Sequence, residues 1–272
     1  MSKQRKYEFT GKIKTVFGIE FKQIRAIIDF GCIVAGEIGG WIESEDNLSQ
    51  SGNAWVSGNA RVSCDAEVSG NAWVYGDAWV SGNAEVYGDA RVYGDARVSG
   101  DAEVYGNARV SCDAEVYGDA RVSGNAEVYG DARVSGNARV SGNARVSGDA
   151  WVSCDAEVSG NAWVYGDARV SGNAEVYGDA RVSGNAEVYG DAEVKESCDY
   201  MVFGPAGRYN RFTTFFKCKD KAIKVACGCF FGTIIEFREK VKETHKGSKH
   251  ERVYLAMADM AELQLVNDEV EK

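Results

Sequence analysis

Two histidines, His245 and His250, and the close pair Cys227-Gly228-Cys229 are the residues of this 272-residue chain best suited by type to acid–base, nucleophilic or metal chemistry. With Cys218 they make the one metal-like cluster in the sequence. C-x-C without a second close pair is a weak zinc pattern, and buried packing is the commoner use of such cysteines. A thiol nucleophile needs a base beside it in space, and sequence order alone does not bring His245 to Cys229. A second candidate is a run of carboxylates, Asp77, Asp95, Asp113, Asp131, Asp149 and Asp167, each 18 residues from the next. Each Asp could accept a hydrogen bond from its own turn, or neighbours could hold divalent cations between them, because Ca²⁺ takes only oxygen ligands. Asn fills the equivalent turn position in 11 of 24 repeats, which favours the first reading.

These carboxylates are positioned by a six-residue unit that fills residues 51–194 in 24 copies without insertion or deletion. A fixed short period signals a solenoid, since one unit cannot bury its own apolar face and must stack on its neighbours. Typical units read SGNARV and YGDARV. Ala and Val occur in every copy, whereas the residue between them is only Trp, Arg or Glu. Strand alternation therefore sends Ala and Val inward and the variable residue outward. So thin a core is closed by three short strands per 18-residue coil, giving 8 coils over the repeat, a triangular rod roughly 35–40 Å long at about 4.8 Å per coil. Cys replaces Gly at positions 64, 112 and 154, while the next residue is always Asn or Asp. The positive-φ turn residue is accordingly expected to be the Asn or Asp, with Gly providing packing room.

Folding the sequence on this period sorts the outward residues into three unequal columns. One holds Glu67, Glu85, Glu103, Arg121, Arg139, Glu157, Glu175 and Glu193; another holds Arg61, Trp79, Arg97, Glu115, Arg133, Trp151, Arg169 and Glu187. The third carries Trp55, Trp73, Arg91, Arg109, Glu127, Arg145, Trp163 and Arg181, with Tyr75, Tyr93, Tyr129 and Tyr165 two residues after four of these. Contact surfaces favour rows of aromatic and Arg side chains, which makes this third column the expected partner-binding face. The competing reading is that aromatic and Arg stacking between coils supports the sheet itself, by about 0.2–1 kcal/mol per pair. The Glu column is either a solvated face or a mimic of a phosphate line.

The formal net charge is −10, and the repeats alone carry −12, so the rod is the acidic part. The first residues lack the apolar core of a signal peptide and no run of 18 apolar residues occurs, which leads us to expect a cytoplasmic protein without a membrane partner. The eight cysteines are expected to be free thiols. Residues 1–50 read as an N-terminal β cap, with a hairpin over 7–30 broken at Gly11 and Gly18 and with Trp41 and Ile42 plugging the rod. Residues 51–202 form the rod, its last unit, SCDYMV at 197–202, worn. Residues 203–272 read as a small α+β module with turns at Gly204-Pro205 and Lys219-Asp220, a helix over 233–243 capped by Thr233, and a second helix over 249–266 burying Val253, Leu255, Met257, Met260 and Leu263.

The array G-[ND]-A-x-V-[SY], the lead-in GEIGGWIESEDNLSQ and the later CGCFFGTIIEFREKVKETH together resemble the YdcK-type β-solenoid proteins of bacterial and prophage genomes. The repeat also resembles the hexapeptide-repeat left-handed β-helix. The likeness implies an all-β left-handed parallel β-helix, triangular and of about 8 coils, with an N-terminal β cap and a small C-terminal α+β domain. Enzymes of the hexapeptide type use a histidine base near a loop extruded from the coils, and related carbonic anhydrases bind zinc through three histidines. Residues 51–194 contain no His and no extruded loop, and they also lack the outward Thr ranks of an ice-binding surface. The expectation is thus a non-catalytic scaffold with an unidentified protein partner, no cofactor and no direct nucleic-acid binding. Alternatives are an acidic DNA mimic or prophage anti-defence protein, and an acyltransferase. Homo-oligomerisation is expected only by likeness to the fold's trimeric enzymes.

Overall fold

A unit of two inward apolar residues and a tight turn can satisfy its backbone only by pairing with the units above and below it. The computed structural model shows this arrangement over the described residues, 5–266; residues 1–4 and 267–272, the outer ends of the flanking modules, lie outside them. Strands β1 (Tyr7–Val16), β2 (Ile19–Ala26) and β3 (Ile38–Ile42) precede 24 two-residue strands, β4 (Trp55–Val56) to β27 (Glu193–Val194). Each short strand pairs in parallel with the one 18 residues on, so that Val56 meets Val74 and Val74 meets Val92. Two sheets of eight strands and one of eleven result, a parallel β-solenoid of about nine turns. Every repeat Ala and Val from Ala54 to Val194 is fully buried.

The rod is longer than the repeat. Trp41 and Ile42 pair in parallel with Arg61 and Val62, and Leu48 bridges Val68. Ile42 and Leu48 therefore occupy Val positions in the lumen, and Ile42 is a rung of the solenoid, where a plug was expected. Trp41 faces outward beneath the Lys14 ammonium, 4.1 Å from its ring centre. The N-terminal end is closed instead by Tyr7, Ile24, Ile33 and Trp55, all buried in the same core cluster. Lys6 completes the closure: its Nζ donates to the Ala54 carbonyl at 2.8 Å, and burial pushes its ammonium down to about 8.

The turns reverse the sequence expectation. Gly takes the positive φ, as in Gly142 at 68°, and Cys64, Cys112 and Cys154 adopt 58°, 61° and 60° at the same place. The following Asn or Asp does not. Both demands fall on one residue, because a Cβ on Gly142 would also lie 2.9 Å from the carbonyl oxygen of Gly160 in the next coil. The three cysteines show that an unbranched side chain is accommodated there. We expect Gly142→Cys to cost about 1 kcal/mol and Gly142→Val about 3 kcal/mol, read as the difference in chemical-denaturation midpoints.

At the far end the repeat stops at a short 3-10 turn, Ser197–Asp199, and the chain enters a four-stranded antiparallel sheet, β28 (Tyr200–Ala206), β29 (Arg211–Lys217), β30 (Ile223–Cys227) and β31 (Phe230–Thr233). The two rod ends use the same device. Asn47 Oδ1 accepts from the Glu43 and Ser44 amides, and Asp199 Oδ2 accepts from those of Lys195 and Glu196. Strand β29 crosses the last coil, with Phe216 and Cys218 joining the rod's core and Thr214 Oγ1 accepting from the Glu187 amide at 2.9 Å. Gly204-Pro205 lies inside β28, because a bulge between Phe203 and Ala206 lets pairing continue to Arg211; the turn falls at 207–210.

Helix α1 (Ile234–His245) starts at Thr233 with a full capping box to Glu236 and buries Ile234, Phe237 and Val241. Helix α2 (Lys249–Leu265) buries Tyr254, Ala258, Ala261 and Leu265. Met260 and Leu263, expected inside, are exposed, Leu263 by 83%. Close helix–sheet approach selects Ala258 and Ala261 at the middle of the buried face, while Leu255 and Met257 pack partly buried at its edge.

Candidate functional site

The aromatic and arginine column is brought together as expected, but its members face one another as much as solvent. Trp55 is 1% exposed and packs edge-on against Phe30 at 5.4 Å, so it belongs to the N-terminal core and offers no binding surface. Trp73 meets Tyr75 edge-on, and Tyr75 stacks flat on Tyr93 at 4.9 Å. Glu127 is held between Arg109 and Arg145 at 3.3 and 3.5 Å. Trp163 packs on Tyr165, and its Nε1 donates to Ser147 Oγ at 3.0 Å. Arg91 and Arg181 are exposed, and Tyr129 is half-buried.

A rule of register lies behind these contacts. In five places the residue after a Val bonds to the outward residue sixteen positions later, on the next coil. Ser63, Ser135 and Ser147 accept from Trp79, Trp151 and Trp163, while the Tyr87 and Tyr177 hydroxyls donate to Glu103 and Glu193. The sequence carries this signal: Trp73, Trp79, Trp151 and Trp163 each follow a Ser by sixteen residues, and never a Tyr. Burial and the Glu103 charge push the Tyr87 phenol up to about 12, and the Glu193 hydrogen bond does the same for Tyr177. A phenol favoured neutral in the fold leaves stability unchanged below its ordinary value of about 10 and lowers it as pH rises from there towards 12. The fall in melting temperature between pH 10 and 12 should therefore shrink in Tyr87→Phe/Tyr177→Phe.

Asp77, Asp95, Asp113, Asp131, Asp149 and Asp167 do line one edge of the rod. The other two edges carry ladders in which one Asn amide donates to the next coil's Asx, as from Asn125 to Asn143 at 3.0 Å and from Asn137 to Asp155 at 2.9 Å. On these two edges the Asn side chains thus bond between coils. The Asp edge has an Asn only at its two ends, Asn59 and Asn185, and Asn185 reaches Asp167 at 3.5 Å. Among the described residues no group of three or more His, Cys, Asp or Glu is gathered closely enough to hold a metal ion.

The residues with chemical potential at the chain's end converge better than their order suggests. Cys227, Cys229, His245 and His250 line one cleft of 680 Å³ between the sheet and α1 and α2. Cys218 lies elsewhere, buried against the rod and bridged to Ala192. His245 stacks on Tyr254 at 5.4 Å and stands edge-on to His250 at 5.9 Å. Thr213 Oγ1 donates to Cys227 Sγ at 3.1 Å, and burial pushes that thiol up from its ordinary value. A thiol pushed up in this way supplies less of the nucleophilic thiolate, and among the described residues no hydrogen bond joins a histidine to a cysteine. This arrangement suits binding.

The sequence reading missed the cleft's other half. Phe230, Phe237 and Val241 supply an apolar floor, and Arg208, Arg211 and Lys240 line the same cleft. Gly228 explains the C-G-C spacing: it turns at φ 62°, and a Cβ there would lie 2.0 Å from the Arg211 guanidinium that crosses it. The clue in sequence was GRYNRF, with Arg208 in a turn and Arg211 at the start of the next strand, but the partner helix lies some thirty residues on.

A capped rod of parallel coils bearing a cleft in its terminal module defines a β-solenoid repeat protein. The family model described as YdcK Beta solenoid repeat matches three stretches of the rod, residues 90–102, 138–153 and 168–184. Among curated proteins the chain is similar to the Escherichia coli (strain K12) protein called "Uncharacterized acetyltransferase YdcK", at 37% identity over 70 residues, 21% of either chain. The match thus spans about a fifth of that relative's length. Among the described residues no helix is long and apolar enough to cross a membrane.

Proposed function

We propose that the protein is a non-catalytic scaffold in which the rod is a rigid spacer and the C-terminal module engages a protein partner. One contrast carries this reading. Many of the rod's outward Trp, Tyr, Arg, Glu and Asn side chains are engaged between coils, whereas the terminal module keeps an apolar cleft edged by cations. Bound partners favour concave apolar sites with a few convergent polar groups. The test is capture from lysate of the producing cells by the whole protein and by two cleft variants, Thr244→Trp and Arg208→Gln/Arg211→Gln. Loss of a specific partner from both, with the melting temperature retained, supports the reading; undiminished capture by both overturns it.

Acyl transfer is the second reading, and the relative's printed name is the observation that favours it. Against it stands a rod without histidine, and a cleft in which burial pushes the half-buried Cys227 thiol up from its ordinary value. Incubating the protein with acetyl-CoA and primary amines should release no CoA thiol above background.

A further inference from the structure

We propose that the C-terminal cleft binds a small organic anion with a ring-bearing apolar body, such as an aryl carboxylate or an aryl phosphate. The inference takes the cleft as the recognition site of the reading above, and it names the chemistry recognised there. In a protein of net charge −10, the residues lining this cleft include Arg208, Arg211 and Lys240 and no carboxylate. Lys240 shares its charge with Glu243 at 2.8 Å on the exposed rim. Arg208 and Arg211 form no ion pair among the described residues, and both guanidiniums lie over the exposed ring of Tyr209, at 5.8 and 5.3 Å from its centre.

Two unpaired guanidiniums beside an aromatic ring offer a fork of donors for a carboxylate or phosphate and flat faces on which a ring can stack. Behind them, Phe230, Phe237 and Val241 form the apolar wall that would receive the body of the ligand. The volume of 680 Å³ falls in the range of small-molecule sites, about 300–1,000 Å³. Arg211 also borders a groove lined by Asp167 and Glu187, but a neutral apolar ligand would leave the donors of Arg208 unused, and a simple inorganic anion would leave the wall uncovered. The combination selects an amphipathic anion.

The experiment uses the whole purified protein and three probes of one ring system: 2-naphthoate, 2-naphthyl phosphate and neutral 2-naphthol. Binding is followed by calorimetry and by proton–nitrogen shift mapping. At least one anion should bind, shifting amides at 207–211, 227–230 and 240–254, with 2-naphthol at least about tenfold weaker; the better anion separates carboxylate from phosphate. Arg208→Gln/Arg211→Gln should lower that affinity at least about tenfold, and Thr244→Trp, an exposed position at the mouth, should block it without loss of fold. Equal binding of 2-naphthol, unaltered binding by the arginine variant, or shifts elsewhere on the molecule would overturn the inference. Absence of anion binding up to about 5 mM, with protein capture still dependent on the cleft, would assign the cleft to a protein segment. That outcome overturns this inference and leaves the scaffold reading standing.

Discussion

Val128→Asp abolishes the folded rod at 25 °C, whereas Glu127→Gln, one residue away, changes stability by less than about 1 kcal/mol. Val128 sits in the middle of the solenoid, fully buried between Val110 and Val146. A lumen lined with Val and Ala side chains offers no side-chain donor to a carboxylate, so the change costs about 5 kcal/mol or more, comparable with the whole stability of a domain. Because each coil contacts only its neighbours, the break falls in the centre, and limited proteolysis should cut first around residues 120–140. Glu127 faces outward and loses only its exposed contacts with Arg109 and Arg145. Retention of a cooperative melting transition by Val128→Asp would show that the lumen is not the apolar core described.

Trp55→Ala destabilises by about 3–5 kcal/mol, as deletion of a buried aromatic does, while Trp163→Ala costs about 1 kcal/mol. The two tryptophans share a column in the sequence but not an environment. Trp55 is covered by the N-terminal cap, with Gly39 so close that a Cβ there would lie 2.6 Å from its ring. Trp163 keeps part of its surface in solvent and loses chiefly one hydrogen bond to Ser147. Trp55→Phe should recover much of the loss, since the Trp55 Nε1 is buried without a partner and its removal leaves no group unsatisfied. Denaturant titrations of the three variants measure these differences; equal losses for Trp55→Ala and Trp163→Ala would contradict the burial assigned to the cap.

The rod was legible because its rule is local and repeated: Ala and Val in every unit fix the lumen, and 18 residues fix the coil. The N-cap of α1 was legible for the same reason, as Thr233 and Glu236 lie within one turn. Features set by contact across coils or elements were harder to read. Cys64 reads as a reason to move the positive φ onto Asp65, yet the fold places it on Cys64 itself. Trp55 shares its position in the repeat with Trp163 and is buried only because the hairpin lies over it. In α2 the larger apolar side chains suggest one face, but close packing favours Ala258 and Ala261 on another. The cleft draws on segments near 208–211, 227–230, 237–245 and 250–254, which no periodicity joins.

The central claim is that the outward tryptophans and tyrosines hold coils together and that recognition lies in the terminal module. Its most direct measurement takes Trp73→Ala/Trp163→Ala and records, on the same preparation, the denaturation midpoint and the capture of the partner retained by the unaltered protein. The account predicts a measurable loss of stability, about 1–2 kcal/mol, with capture intact. Capture lost while stability is unchanged would contradict it and make the aromatic column the binding face.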